Sequence, residues 1–201
     1  MKILLTGQPK AGKSTLFASV LASISNKQGF ITQEIRENSE RVGFKLLSAA
    51  GDEATLSHVD VHSEQRVSRY FVDVAGLTQF IQPLFNFESN QLLYIDEIGQ
   101  MELFADDFKK LVEVYLQAKN DCMLTITSVY TDAFVERLKA LDTVLLIELT
   151  PENREQLHPI ITALLAALPK MKTLSETQQQ KILLLANNYF KTAQYIQLRK
   201  L

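Results

Sequence analysis

Gly7-Gln8-Pro9-Lys10-Ala11-Gly12-Lys13-Ser14 follows the apolar run Ile3-Leu4-Leu5 and leads into a helix-patterned stretch over residues 15–24. The spacing is G-x-x-x-x-G-K-S, a phosphate-binding loop, and strand, loop and helix in that order give the spacing its mechanism. Backbone N–H groups of the loop and of the helix start converge on phosphate oxygens. Gly7 and Gly12 let the backbone turn sharply and approach without a Cβ in the way. Lys13 then brings an ammonium to the β- and γ-phosphates, and Ser14 a hydroxyl to Mg²⁺, which makes magnesium the expected cofactor. Gln8, Pro9, Lys10 and Ala11 complete the loop and Thr15 continues the helix, so the expected nucleotide-binding segment is 7–15. Lys10 stands where many such loops carry glycine.

Gln91-Leu92-Leu93-Tyr94-Ile95-Asp96-Glu97 reads as a buried strand ending in two acids. In a chain that carries a phosphate loop this is a Walker B segment. Asp96 is expected to hold Mg²⁺ through a water, and Glu97, one residue on, to polarise an attacking water and accept its proton. Lys13 and Glu97 are therefore the expected catalytic pair, with Ser14 and Asp96 the metal-binding pair. Thr127-Ser128 ends the next strand, where Ser128 either meets the γ-phosphate or caps the strand.

The chain has 201 residues, 46% of them hydrophobic, which suits one α/β domain with a small appendage. A net charge of −2 gives no basic excess for nucleic acid or an anionic membrane. The single cysteine, Cys122, sits in an apolar run and reads as a buried thiol. No apolar run reaches the length of a membrane span, and Met1-Lys2 leads directly into the first strand. A cytoplasmic protein is expected, with no nucleic-acid or membrane partner.

Further along, residues 26–29 read as the end of the first helix, with Gly29 as its stop. Residues 30–36 and 41–47 read as a hairpin, with further short strands at 56–61 and 69–74. This β-rich insertion, about 30–74, is expected to decorate a parallel core. Helices are predicted at 77–85, 106–119 and 132–141, and strands at 91–96, 123–128 and 144–149. Thr150-Pro151 opens a helix to about 168. The alternation predicts a mostly parallel sheet flanked by helices on both faces, with ligands at the carboxyl ends of its strands. The core then spans 1–168. Residues 169–201 form a helical extension, in which Pro169 breaks the preceding helix and Ser175-Glu176-Thr177-Gln178 has capping-box spacing. Ile182, Ala186, Tyr189, Ala193 and Ile196 make an apolar stripe that packs on the core or forms an oligomer surface.

On these residues the chain resembles the cancer-related nucleoside-triphosphatase family and its bacterial and archaeal relatives. Asp96-Glu97-Ile98-Gly99-Gln100-Met101-Glu102-Leu103, followed by Phe108, is similar to the family's Asp-Glu-Ile-Gly-x-Met-Glu and later Phe. Gly29-Phe30-Ile31-Thr32-Gln33-Glu34-Ile35-Arg36 and Arg41-Val42-Gly43-Phe44 resemble two further elements, and Val67-Ser68-Arg69-Tyr70 a third with Ser68 in a glycine's place. Asn153-Arg154 resembles a pair near the last core helix. The resemblance covers about residues 1–165. It implies a Mg²⁺-dependent hydrolase of nucleoside triphosphates, ATP or GTP among them, with broad choice of base. It also implies an extra core strand between the loop strand and the Walker B strand. Gln8, Lys10 and Ser14 depart from the family's usual loop.

Several roles stay open in the sequence. Glu34 and Arg36 either face the nucleotide or form an ion pair on an exposed hairpin. Asn153 and Arg154 either touch the base or begin a helix. Met101 and Glu102 are read as shaping the turn after the Walker B acids. Arg36, Arg41, Arg66 and Arg69 cluster in the insertion, which keeps a nucleoside or nucleotide kinase as an alternative. The extra C-terminal helix keeps a nucleotide-gated interaction protein as another.

Overall fold

A computed structural model describes residues 1–171 and, beyond them, Ser175, Thr177, Gln178, Lys181 and Ala186. Its framework is a nine-stranded sheet. β1 (Lys2–Thr6) is buried along its whole length and pairs in parallel with β8 (Cys122–Ile126) on one side and β9 (Val144–Glu148) on the other. β8 pairs in parallel with β7 (Leu92–Ile98), so it lies between the loop strand and the Walker B strand.

The sheet's two faces follow the alternation of side chains along a strand. Ile3, Leu5, Tyr94 and Met123 pack with α1 (Lys13–Ala22) and α5 (Arg154–Met171). Leu4, Leu93, Ile95 and Leu124 pack on the other face with α2 (Val74–Ile81), α3 (Asp106–Gln117) and α4 (Ala133–Lys139). Both faces are covered, as a parallel sheet requires. Two 3₁₀ turns, Gln82–Phe85 and Glu102–Phe104, also lie among the described residues. The Lys2 ammonium donates to the carbonyls of Tyr115, Ala118 and Asn120, holding the end of α3 against the start of β1.

The expected hairpin-rich insertion is present, and it is continuous with the core sheet. β2 (Lys27–Glu37) pairs in parallel with β7 from Lys27 to Ile31, then antiparallel with β3 (Glu40–Ser48) from Phe30 to Glu37. At 11 residues β2 outruns the 7 of β7, and its surplus length seeds the antiparallel part. β4 (Glu53–His58), β6 (Tyr70–Val72) and β5 (Arg66–Val67) extend that part outward.

Gly29 is a correction. It lies inside β2, not at a helix end, and α1 stops at Ala22. Its φ is +148°, and a Cβ there would stand 1.7 Å from the Tyr94 carbonyl oxygen. The glycine is needed because β2 and β7 approach too closely for a side chain.

The last core helix also starts later than the sequence indicates. Thr150 N–H donates to Asn153 Oδ1 at 2.8 Å, Asn153 Nδ2 donates to the Glu148 carbonyl at 2.9 Å, and α5 begins at Arg154. A side-chain-bonded turn thus precedes the helix where Pro151 was expected to open it. Pro169 does not break α5, which runs through it to Met171. The capping box is present: Ser175 N–H donates to Gln178 Oε1 at 2.9 Å and Gln178 N–H returns to Ser175 Oγ at 3.3 Å. Of the apolar stripe, Ala186 is half-buried against the α1 and α5 face. Ile182, Tyr189, Ala193 and Ile196 lie outside the described residues.

Gly29→Ala is expected to cost about 3 kcal/mol or more, because the added methyl overlaps backbone that cannot move without parting β2 from β7. Urea denaturation checks this, and an unchanged midpoint would contradict the close approach.

Candidate active site

The phosphate loop spans the turn between β1 and α1. Gly7 has φ +146°, and a Cβ on it would meet the Leu149 carbonyl oxygen at 2.2 Å. Leu149 N–H in turn donates to the Thr6 carbonyl at 2.8 Å, so the loop's entry is pressed against the end of β9. Lys10 takes the left-handed conformation, φ +68°, in the place where a glycine would take it freely. The side chain is exposed, so the loop keeps its shape around a lysine at a local conformational cost. Gln8, Pro9 and Lys10 form the exposed crest of the loop, and Ala11 is buried beneath it.

Lys13 is buried, and its ammonium donates to the Gly7 carbonyl at 2.8 Å and to that of Gln8 at 3.4 Å. Ser14 and Thr15 are exposed in the first turn of α1. Ser14 lies near enough to Asp96 to favour its carboxylate form.

Asp96 is 3% exposed and accepts a 2.6 Å hydrogen bond from the Thr125 hydroxyl of β8. Burial pushes its carboxyl upward, while Thr125, Ser14 and the charge of Lys13 favour the carboxylate. Between Ile95 and Ile98 the β7–β8 register slips, so Asp96 and Glu97 together span a single step of β8. Such a bulge breaks the alternation of a strand. It lets two consecutive acids, Asp96 and Glu97, line one cavity, which a regular strand would prevent. Burial raises Glu97 as well, with Lys13 lowering it and Asp96 raising it further.

This cavity holds about 450 Å³. Ser14, Asp96, Glu97 and Thr127 meet on its wall, so the loop and the Walker B acids converge at the carboxyl edge of the sheet. A serine hydroxyl and a carboxylate are hard oxygen donors, the set that suits Mg²⁺ completed by phosphate and water oxygens. Among the described residues no group of three or more His, Cys, Asp or Glu is placed to hold a metal.

The remaining expected residues fall elsewhere. The Ser128 hydroxyl donates to the Gly7 carbonyl at 2.9 Å, tying β8 to the loop. Arg36 is exposed and donates to Glu34 at 2.8 Å. Asn153 is buried in the turn before α5. Arg154 lies over the loop, its Cδ 3.5 Å from where a Cβ of Gly12 would be, with half its side chain exposed.

Two residues go beyond the sequence reading. Thr125 holds Asp96, and its signal is a lone hydroxyl inside an apolar run. Glu102, read as a turn residue, lines the cavity and is 4% exposed. Burial pushes its carboxyl up to about 8, Glu97 and Asp96 add to the rise, and the backbone amides of Glu102 and Gly99 oppose it. Its signal is an acid set between Met101 and Leu103.

A family model described as NTPase matches residues 2–162. The nucleoside-triphosphatase THEP1 of Thermotoga petrophila is 38% identical over 159 residues, covering 78% of this chain and 88% of that protein. The crystal structure of THEP1 from Aquifex aeolicus superposes with a TM-score of 0.70 at 31% identity, covering 82% of this chain and 98% of the other. The solution structure of a human cancer-related nucleoside triphosphatase gives 0.69 at 29% identity, covering 82% and 96%.

Glu102 makes stability depend on pH. The folded chain keeps this proton to about 8, whereas an ordinary glutamate releases it near 4.5. Between those values the unfolded chain ionises and the folded chain does not, so stability falls as pH rises through that window. Glu102→Gln removes the dependence. Its melting temperature is expected to lie close to the parent's at pH 5 and about 5 °C or more above it at pH 8.5. Equal melting temperatures at both pH values would show that the buried acid carries no such penalty.

Proposed function

The chain belongs to the NTPase family, and from that premise we propose that it is a magnesium-dependent nucleoside triphosphatase, releasing phosphate from NTP through water activated by Glu97. The observation that carries the reading is the meeting of Ser14, Asp96 and Glu97 on one cavity, close enough to Lys13 for its charge to act on both acids.

Residues 7–15 bind the phosphate chain. The loop amides and the start of α1 face its oxygens, and the Lys13 ammonium exchanges the Gly7 and Gln8 carbonyls for the β- and γ-phosphates. Ser14 and Asp96 would hold Mg²⁺, with Thr125 fixing the carboxylate's orientation. A metal ion held by these two residues would supply positive charge to offset that of the phosphates. Glu97 orients the attacking water and takes its proton, and burial raises its affinity for that proton. Ser128 keeps the loop's entry in register with β8 and so acts by positioning. Arg154, half exposed above Gly12, offers a planar guanidinium that stacks on any base, which supports broad base choice across ATP, GTP, CTP and UTP. Asn153 sets the turn that aims it.

Glu97→Gln is expected to lower kcat for phosphate release about 100-fold or more while nucleotide affinity stays within about threefold. Phosphate release and fluorescent-nucleotide binding, measured side by side, read the two effects. Chelation with EDTA is expected to abolish turnover, and added Mg²⁺ to restore it. Wild-type phosphate release by the variant would remove Glu97 from its role, and turnover in excess EDTA would remove the metal.

A further inference from the structure

The cavity is larger than one attacking water requires. Its volume, about 450 Å³, lies in the size range of small-molecule sites. Of residues 7–15 only Ser14 lines it, so most of the cavity lies away from the phosphate loop. The antiparallel part of the sheet contributes Phe44 of β3, Leu56 of β4 and Val67 of β5 to its wall, and Met101, whose sulfur accepts from the Ser57 hydroxyl at 3.2 Å, lines it too. The polar residues of its lining include Thr32, Glu34, Gln100 and Glu102. The Thr32 hydroxyl is buried and has no hydrogen-bond partner among the described residues. The Glu102 carboxyl lies close to Glu97, since a Cβ on Gly99 would be 2.9 Å from Glu102 Oε2 and 3.7 Å from Glu97 Oε1. An apolar wall with a few convergent polar groups is the make-up of a ligand site. An unpaired buried hydroxyl is costly unless something bonds to it.

The charges narrow the occupant. Glu34, Asp96 and Glu97 all line the cavity. The nearby arginines are engaged: Arg36 donates to Glu34 at 2.8 Å, and Arg41 donates to Glu34 and to the Tyr70 hydroxyl at 2.9 Å each. A phosphorylated occupant would need free cations there.

We propose that the lobe of the cavity away from the phosphate loop is a phosphoryl-acceptor site, from which an uncharged alcohol of about nucleoside size, carrying an apolar face, takes the γ-phosphoryl group in place of water. The proposal rests on the triphosphatase reading for its donor half. The acceptor's hydroxyl oxygen forms a bond to the γ-phosphorus. The bond from that phosphorus to the β–γ bridging oxygen breaks, and its electron pair leaves on the nucleoside diphosphate. The hydroxyl proton passes to Glu97 and then to solvent. Nucleoside triphosphate and alcohol thus yield nucleoside diphosphate, a phosphomonoester and a proton. Thr32 and Glu102 orient the acceptor, while Phe44, Leu56 and Val67 hold its apolar face.

The test supplies γ-labelled ATP and Mg²⁺ with the four common ribonucleosides as uncharged probes and their monophosphates as anionic ones. The parent chain, Thr32→Val and Val67→Phe are compared. Labelled nucleoside monophosphate is expected from at least one nucleoside, and no labelled diphosphate from the monophosphates. Thr32→Val is expected to lower kcat/KM for the acceptor about tenfold, the worth of one hydrogen bond. Val67→Phe, which fills the lobe, is expected to lower it further, and both variants are expected to release phosphate from ATP alone within about twofold of the parent. Label on no nucleoside, label on the monophosphates, or variants that slow transfer and phosphate release in equal proportion would overturn the acceptor site. A chain that turns over no nucleoside triphosphate at all would overturn the hydrolase reading beneath it instead.

Discussion

The hydrogen bond from Thr125 to Asp96, 2.6 Å long and shut away from solvent, ties the Walker B strand to the strand that separates it from the phosphate loop. Thr125 is in register with Leu5 of β1, so the same residue that holds the acid also fixes its distance from the loop. Burial alone would protonate Asp96, and Thr125, Ser14 and Lys13 counter it. Removing the threonine hydroxyl would leave a buried carboxylate short of a partner, a loss larger than the bond's own net worth. The order of three strands, β7, β8 and β1, thus becomes a chemical fact about one carboxylate.

The bulge beside Asp96 is the second consequence of that crowded edge. A strand offers alternate side chains to one face, yet both acids are needed on the same side of the sheet. The slipped register between Ile95 and Ile98 resolves the conflict locally and leaves the rest of β7 in step with β8. Exceptions to ordinary local preference gather around the same place: the left-handed Lys10, the Gly7 contact with Leu149 and the buried Glu102. Packing on both faces of the sheet has to hold them, because none is favourable alone.

The antiparallel half of the sheet matters because β2 belongs to both halves. Its first residues extend the parallel core beside β7, and its last residues carry the hairpin outward. The walls formed by Phe44, Leu56 and Val67 are therefore attached through one continuous backbone to the strand that presents Glu97. The arginines of this half form a surface network around Glu34 and Tyr70, with Arg41 also over the ring of Phe44. They brace the hairpin around Glu34.

The loop spacing, the acids after Tyr94, the helix and strand alternation and the capping box at Ser175 are legible in the sequence, since each depends on residues close together in the chain. Gly29 is legible only as a glycine: a helix stop and a strand contact call for the same residue, and the Tyr94 carbonyl that decides between them is 65 positions away. Thr125, Glu102 and Thr32 carry no local mark of their roles, because burial and partners come from strands distant in sequence. Arg36 and Arg154 look alike as candidates in the sequence; folding pairs one with Glu34 and lays the other over Gly12. Chemistry that short-range order can encode was determined by the sequence itself. Which side chains share a cavity was decided by the sheet, whose strand order and register no local pattern specifies.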